Sequence, residues 1–392
     1  MNALQRMSAC AALLLTLGIP PVARAADAEP YGINVIVSLT GAGSFLGLSQ
    51  QKALQIFEGS VNSHGGIKGR PLHFTFFDDQ TSPQVAVQLA NQVLVKKPAV
   101  VLGSSTAGTC RAIAPLFANG PLNYCLIPAI HPPRGYVFSA SVDTRDMIAT
   151  LVRYFRERGW TKIARVTTND ASGQDADDAF TAALALPENK DVTIVSNERY
   201  NTGDVSTSAQ FARIKAAGAQ GIIIWATGTP FGTALHGLRD SGLEVPIAAS
   251  NANMIYGQMK QYADFLPKEL YFEGVGYLSG LGTPAERAAQ GEFLQTIKAA
   301  GILPDFQTGM AWDPALIVVD ALRKLGPNAT AAQLQGYIEK LSAFPGISGS
   351  YDFRDGNQRG LSQKDLVIMR WDDSAKTWTT VSGPGGILAR TR

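Results

Sequence analysis

Histidine is scarce. Its four residues, His64, His73, His131 and His236, are scattered over a chain of 392. No two have the spacing that brings metal ligands together, so no metal centre is expected. The chain has no G-x-S-x-G and no G-x-x-x-x-G-K-[ST], which argues against a serine-hydrolase elbow and a P-loop. Gly41, Gly43 and Gly47 only approximate G-x-G-x-x-G, with the last interval one residue too long. A tight turn with close helix packing explains them as well as a dinucleotide does. Asp78, Asp79 and Asp170 follow expected strands, where acids commonly cap helices. The expectation is a protein without enzymatic activity and without a cofactor.

Long apolar runs are also missing. After the first 25 residues none reaches 18, the length that suggests a membrane span. The opening segment itself reads as an export signal: Arg6, then "ACAALLLTLGI", then "ARA" at Ala23 to Ala25. Cleavage near Ala25 would give a periplasmic protein. It would also remove Arg6 and Arg24, so that the 34 basic residues less those two equal the 32 acidic ones. A net charge of zero argues against nucleic-acid and anionic-membrane partners. Of the three cysteines, Cys10 lies in the export segment. Cys110 and Cys125 remain, a disulfide pair in an oxidising compartment or two buried thiols.

What is present is alternation. Short β-rich runs, "INVIVSL" (33–39), "LHFTFFD" (72–78), "AVVLG" (99–103) and "YCLIP" (124–128), alternate with helical stretches. The theme restarts with "KIARVTT" (162–168), "DVTIVSNERY" (191–200), "GIIIWAT" (221–227), "VPIAAS" (245–250) and "LYFEGVGYL" (270–278). Helices are expected near 284–301, 311–325 and 330–342, followed by short antiparallel strands. The pattern predicts an α/β protein of two similar lobes with parallel sheets and crossover helices. Ligands of such sheets sit beyond the strands' carboxyl ends. There the chain offers Gly, Ser, Thr and Asn, with free helix N-termini that suit a carboxylate.

The stretch "VIVSLTGAGSFLGLSQQKALQIFEGSVNSHGGIKGRPLHFTFFDDQTSPQVAVQLANQVL" resembles the opening of the periplasmic solute-binding proteins of the branched-chain amino acid type of ABC importer. The likeness runs on to "GSYDFRDGNQR". It implies two Rossmann-like lobes joined by three crossovers, the type I arrangement. The lobes would comprise 26–145 with 277–348, and 146–276 with 349–392. The turn at Gly41 would be a lip of the cleft. A monomer is expected, delivering its solute to a membrane permease. A sensory module is the alternative, though no signalling domain accompanies it.

The resemblance also implies a site. A ligand carboxylate would lie on the loop after "VVLG", at Ser105, Thr106, Ala107, Gly108 and Thr109. Ala129 and Ile130 would supply backbone groups and His131 a side chain. Across the cleft stand Asp170, Thr227, Asn251, Asn253 and Met254. Phe45, Leu46, Phe231, Tyr277 and Trp312 would form apolar walls. Plainer roles compete: helix caps for Thr106 and Thr109, a turn for His131, packing for Phe45 and Trp312. Two departures matter. Amino-acid binders of this kind carry a small residue and a threonine where this chain has Ile130 and His131. They carry an acid near Asn251, where none occurs. A buried ammonium needs a counter-charge, so the expected ligand is an organic acid without an amino group. "IHPP" and "YC" resemble the subset that binds aromatic carboxylates. Branched-chain amino acids, amides and urea are the alternatives.

Overall fold

A computed structural model describes residues 29–388; the expected export segment lies outside them. The first half runs β1 (Tyr31–Val37), α1 (Ser44–Ser63), β2 (Leu72–Asp78), α2 (Pro83–Leu94), β3 (Val100–Leu102), α3 (Ala107–Ile113), β4 (Leu122–Cys125) and β5 (Val137–Ser139). These strands form a parallel five-stranded sheet in the order β2-β1-β3-β4-β5.

The second series runs α4 (Thr144–Glu157), β6 (Lys162–Thr168), α5 (Ala171–Leu184), β7 (Thr193–Tyr200), α6 (Ser208–Ala216), β8 (Gly221–Trp225), α7 (Thr229–Ser241), β9 (Ile247–Ala249), α8 (Tyr256–Gln261) and β10 (Leu270–Gly274). Then follow α9 (Gly276–Ser279), α10 (Pro284–Ala299), α11 (Phe306–Leu325), α12 (Ala331–Ile338), β11 (Phe344–Pro345), β12 (Ser350–Tyr351), β13 (Val367–Asp372) and β14 (Thr377–Thr380). The second sheet has seven strands, β14-β13-β10-β9-β8-β6-β7, with β13 and β14 antiparallel.

The chain therefore passes between the two sheet regions three times: after β5, after β10 and before β13. Both sheets are clothed on two faces, and their central strands are apolar without alternation. All five residues of β8, "GIIIW", are buried, as parallel strands under crossover helices require. α10 and α11 come late in the chain but return to the first lobe. Trp312 of α11 meets Phe57 of α1 and Phe293 of α10 edge-on, with ring centroids 4.9 Å apart in each case. Tyr351 and Phe353 remain on this lobe; Phe353 stacks edge-on against Phe138 at 5.8 Å.

Two boundaries and two missing elements stand out against the sequence reading. The strand read through 278 stops at Gly274, because the N–H groups of Gly276 and Tyr277 turn to the carbonyls of Ser348 and Ile347, both at 3.0 Å. The helix read from 311 begins at Phe306, where Asp305 caps it by accepting the Thr308 N–H at 2.9 Å. β5 and α4 are absent from that reading. α4 opens on Asp143, which accepts the Arg145 N–H at 2.8 Å, and buries Met147, Ile148, Leu151 and Phe155.

Candidate functional site

The strand ends of the two sheets face each other across a cleft, and its lips touch. Ala42, in the glycine turn of the first lobe, accepts the Thr229 N–H of the second at 3.3 Å. Gly228 has φ 73° there, and a β-carbon on it would lie 2.1 Å from the Ala42 carbonyl oxygen. Only glycine fits so close an approach. Gly47 serves packing in the same turn: a β-carbon would lie 2.0 Å from Ser38 O. The turn is thus a lip brought close to helix and neighbour. Phe45 stands just inside it, edge-on to Tyr262 at 6.4 Å.

Behind the lips lies a cavity of about 30 Å³, far below the roughly 300–1,000 Å³ of an occupied small-molecule site. The lobes are drawn together around it. From the first lobe the walls are Leu46, the Ser105–Ala107 loop and the 126–129 segment; from the second, Ser172, Trp225, Thr227, Ser250 and Ala252. Thr144 at the first crossover and Phe306, Gln307 and Met310 of α11 complete the lining. Hydroxyls and one amide face apolar groups. Among the described residues no lining side chain is charged.

The hydroxyl loop is pre-set by its own hydrogen bonds. Thr106 caps α3, accepting the Thr109 N–H at 3.4 Å, while the Thr109 hydroxyl meets Thr106 Oγ1 and Ser104 Oγ, each at 2.8 Å. Ser104 in turn donates to Asp79, which also accepts the Ser38 hydroxyl at 2.7 Å. Burial pushes the Asp79 carboxyl up, partly offset by those hydroxyls. A disulfide joins Cys110 to Cys125 with Cα atoms 6.1 Å apart, tying the start of α3 to the end of β4. Closing a loop of this length stabilises the fold by about 3 kcal/mol in the chain-entropy picture.

Of the residues singled out in the sequence, Ser105, Thr106, Ala107, Ala129 and Thr227 line the cavity together, as does Leu46. The others stand elsewhere. Phe45 belongs to the lip, and Gly108 faces Pro83. Thr109 is fully buried behind the loop, and Ile130 is core. Asp170 caps α5, accepting the Gly173 N–H at 2.8 Å. Met254 is wholly buried, and its carbonyl accepts the Phe306 N–H at 3.0 Å. Tyr277 donates to the Asp305 carbonyl at 2.9 Å, and Trp312 is aromatic packing. Asn251 is buried between the cavity-lining Ser250 and Ala252, its N–H on Glu273 at 3.0 Å and its side-chain amide without a partner among the described residues. Burial pushes the Glu273 carboxyl up to about 8, so it is largely uncharged at neutral pH. Trp225, Phe306, Gln307 and Met310 escape a reading of the sequence. The first two carry a legible signal, a strand end and a helix start; Gln307 and Met310 become visible only when α11 folds back.

His131 closes a different bridge between the lobes. Its Nδ1 is 3.0 Å from Asp143 and its Nε2 is 2.7 Å from Asp175 on α5 of the second lobe. Arg111 of α3 donates to the same Asp175 oxygen at 3.1 Å. Arg359, buried at the third crossover, lies 3.5 Å from Asp143 and donates to the Ile130 carbonyl. Hydrogen bonds to Asp143 and Asp175 raise the imidazole to about 9, against the opposing effect of its burial.

Two clefted lobes of parallel sheet, joined by three crossovers and facing each other across a lining of hydroxyls, define a solute-binding clamshell. Residues 30–376 match the family described as periplasmic binding protein, and the chain belongs to that family. The Leu/Ile/Val-binding protein homolog 3 of Brucella melitensis is 22% identical over 358 residues, covering 87% of this chain and 91% of that one. Among solved structures, an extracellular ligand-binding receptor from Rhodopseudomonas palustris HaA2 superposes with a TM-score of 0.80 at 20% identity, over 90% of this chain and 99% of that one. A fatty acid ABC transporter substrate-binding protein from Thermomonospora curvata superposes with a TM-score of 0.75 at 16% identity, over 92% and 93%. These are binding proteins, and the family's members bind small molecules for transport. Among the described residues no helix is long and apolar enough to cross a membrane.

Proposed function

We propose that the protein is the solute receptor of an ABC importer and that its solute is a small organic acid with an apolar, most naturally aromatic, body. The cleft captures it by hinge closure and presents it to a membrane permease. The protein acts as a monomer. One observation carries the ligand class: among the described residues no charged side chain lines the cavity. A carboxylate can be held by hydroxyls and backbone N–H groups. An α-amino acid brings a second charge, and neutralising it takes a carboxylate. The nearby acids are spoken for, Asp170 as a cap and Glu273 by burial beneath Asn251. Trp225, Phe306 and Met310 offer broad apolar area to a flat ring.

A second reading, a branched-chain amino acid, is favoured by the name of the Brucella relative. Thermal denaturation of protein stripped of bound solute separates the two, since a ligand of the folded state raises the melting temperature by mass action. Benzoate or 3-phenylpropenoate should raise it more than leucine or isoleucine at equal concentration. A shift with leucine and none with the aromatic acids would overturn the organic-acid reading, with Asp170 the first candidate counter-ion.

A further inference from the structure

Two buried glutamines join the hydroxyl loop to the opposite lobe. Gln50 of α1 is fully buried and Gln307 of α11 nearly so. The Ser38 N–H donates to Ser105 Oγ at 3.2 Å, and the Ser105 hydroxyl donates to Gln50 Oε1 at 2.7 Å. Gln50 Nε2 donates both to the Leu126 carbonyl at 3.0 Å and to Gln307 Oε1 at 2.8 Å. Gln307 Nε2 donates to the Ala252 carbonyl of the second lobe at 3.2 Å.

This chain has one direction. A backbone N–H starts it, and the carbonyls of Leu126 and Ala252 can only accept. Turning the Gln50 amide over would set its oxygen against the Leu126 carbonyl and Gln307 Oε1. Turning Gln307 over would set oxygen against oxygen at Ala252. Each inversion buries unpaired acceptors. Gln307 lines the cavity, its oxygen is consumed by Gln50, and its amide nitrogen has a second N–H with no partner among the described residues.

We propose that Gln50 locks Gln307 as a hydrogen-bond donor toward the cavity, making Gln307 a specificity residue that selects solutes presenting an acceptor, such as a carboxylate, over solutes presenting a donor. The inference rests on the organic-acid reading for its ligand, and Gln50 is the positioning residue.

The tests are Q50M and Q307M. A thioether at position 50 offers Gln307 no donor, which releases the lock on its amide, and a thioether at position 307 removes the amide itself. Benzoate and benzamide are near-isosteric probes that differ in the acceptor–donor character of one group. Wild type should prefer benzoate by about tenfold or more, the range of one hydrogen bond to a charged group. Q307M should lose most of that preference and Q50M a part of it. A ligand-free measurement runs beside it: the interlobe distance between two spin labels, one per lobe. Q307M should lengthen it, because that variant loses the hydrogen bond to the Ala252 carbonyl. An unchanged benzoate-to-benzamide ratio in folded Q50M or Q307M would overturn the proposal. If wild type binds neither probe, the organic-acid reading falls. The directed glutamine chain then stands if the distance lengthens and falls if it does not.

Discussion

Thr106 and Thr109 are three residues apart and chemically alike, but they do different work. Thr109 is fully buried, with its hydroxyl taken by Ser104 and Thr106. Thr106 reaches the cavity. The sequence treats both as candidates for the carboxylate; the capping geometry parts them. Thr109→Val should therefore cost about 1–3 kcal/mol of stability, the range for leaving buried polar groups unpaired, and change solute affinity less than Thr106→Val does. Urea denaturation with calorimetry on both variants checks this. Equal losses of affinity would return Thr109 to the site. Asn251 makes a related point. An amide after a strand, beside an expected ligand, reads as part of the site; folding buries it completely, and the carboxyl of Glu273 takes its backbone N–H. Burial of that kind depends on β10 lying beside β9, a tertiary fact that no local pattern contains.

At the scale of elements, the glycine turn and the start of α7 form a shape-matched pair. Gly228→Ala should hold the lips apart, since the added carbon has no room beside the Ala42 carbonyl. The expected result is solute binding weaker on the order of tenfold, because the variant forfeits the hydrogen bond across the lips and carries left-handed strain at the new alanine. It should come with a larger radius of gyration by X-ray scattering. Unchanged affinity and size would mean that the lips meet only incidentally. The strands that carry this architecture are legible as short β-rich runs between helical stretches; "LHFTFFD" and "KIARVTT" coincide with β2 and β6. β5 is not. Its three residues, Val137–Ser139, follow a Pro- and Gly-containing stretch, and pairing with β4 defines them. The cavity follows the same division. Residues on loops after strands are readable, whereas Gln50 and Gln307 are 257 positions apart and meet only because α11 lies on α1.

At the scale of the whole molecule, closure is also electrostatic. His131 does not line the cavity, but with Arg111 it binds Asp175 across the lobes, while Asp143 and Arg359 hold its other side. The pairing with Asp175 exists only when the lobes meet, so closure raises the imidazole's proton affinity. A raised group contributes fully below its free value near 6.5 and loses its contribution as the pH climbs through about 9. Solute affinity should accordingly decline as the pH rises from neutral toward about 9 and level off above it, and His131→Gln should flatten that fall. Titration calorimetry from pH 7 to 10, in buffers matched for ionic strength, decides between this and a purely structural histidine, which would leave the two profiles parallel. The same return of α11 to α1 has a consequence in time. A chain made from its N-terminus presents β1, α1 and β2 long before residues 306–325 exist, so Phe57 and its neighbours wait uncovered. The first lobe cannot finish until most of the second has been synthesised. Such long-range closure slows folding and leaves apolar surface open to aggregation or to a chaperone in the interval. A fragment ending before α11 should not hold even the lobe whose sheet it contains in full.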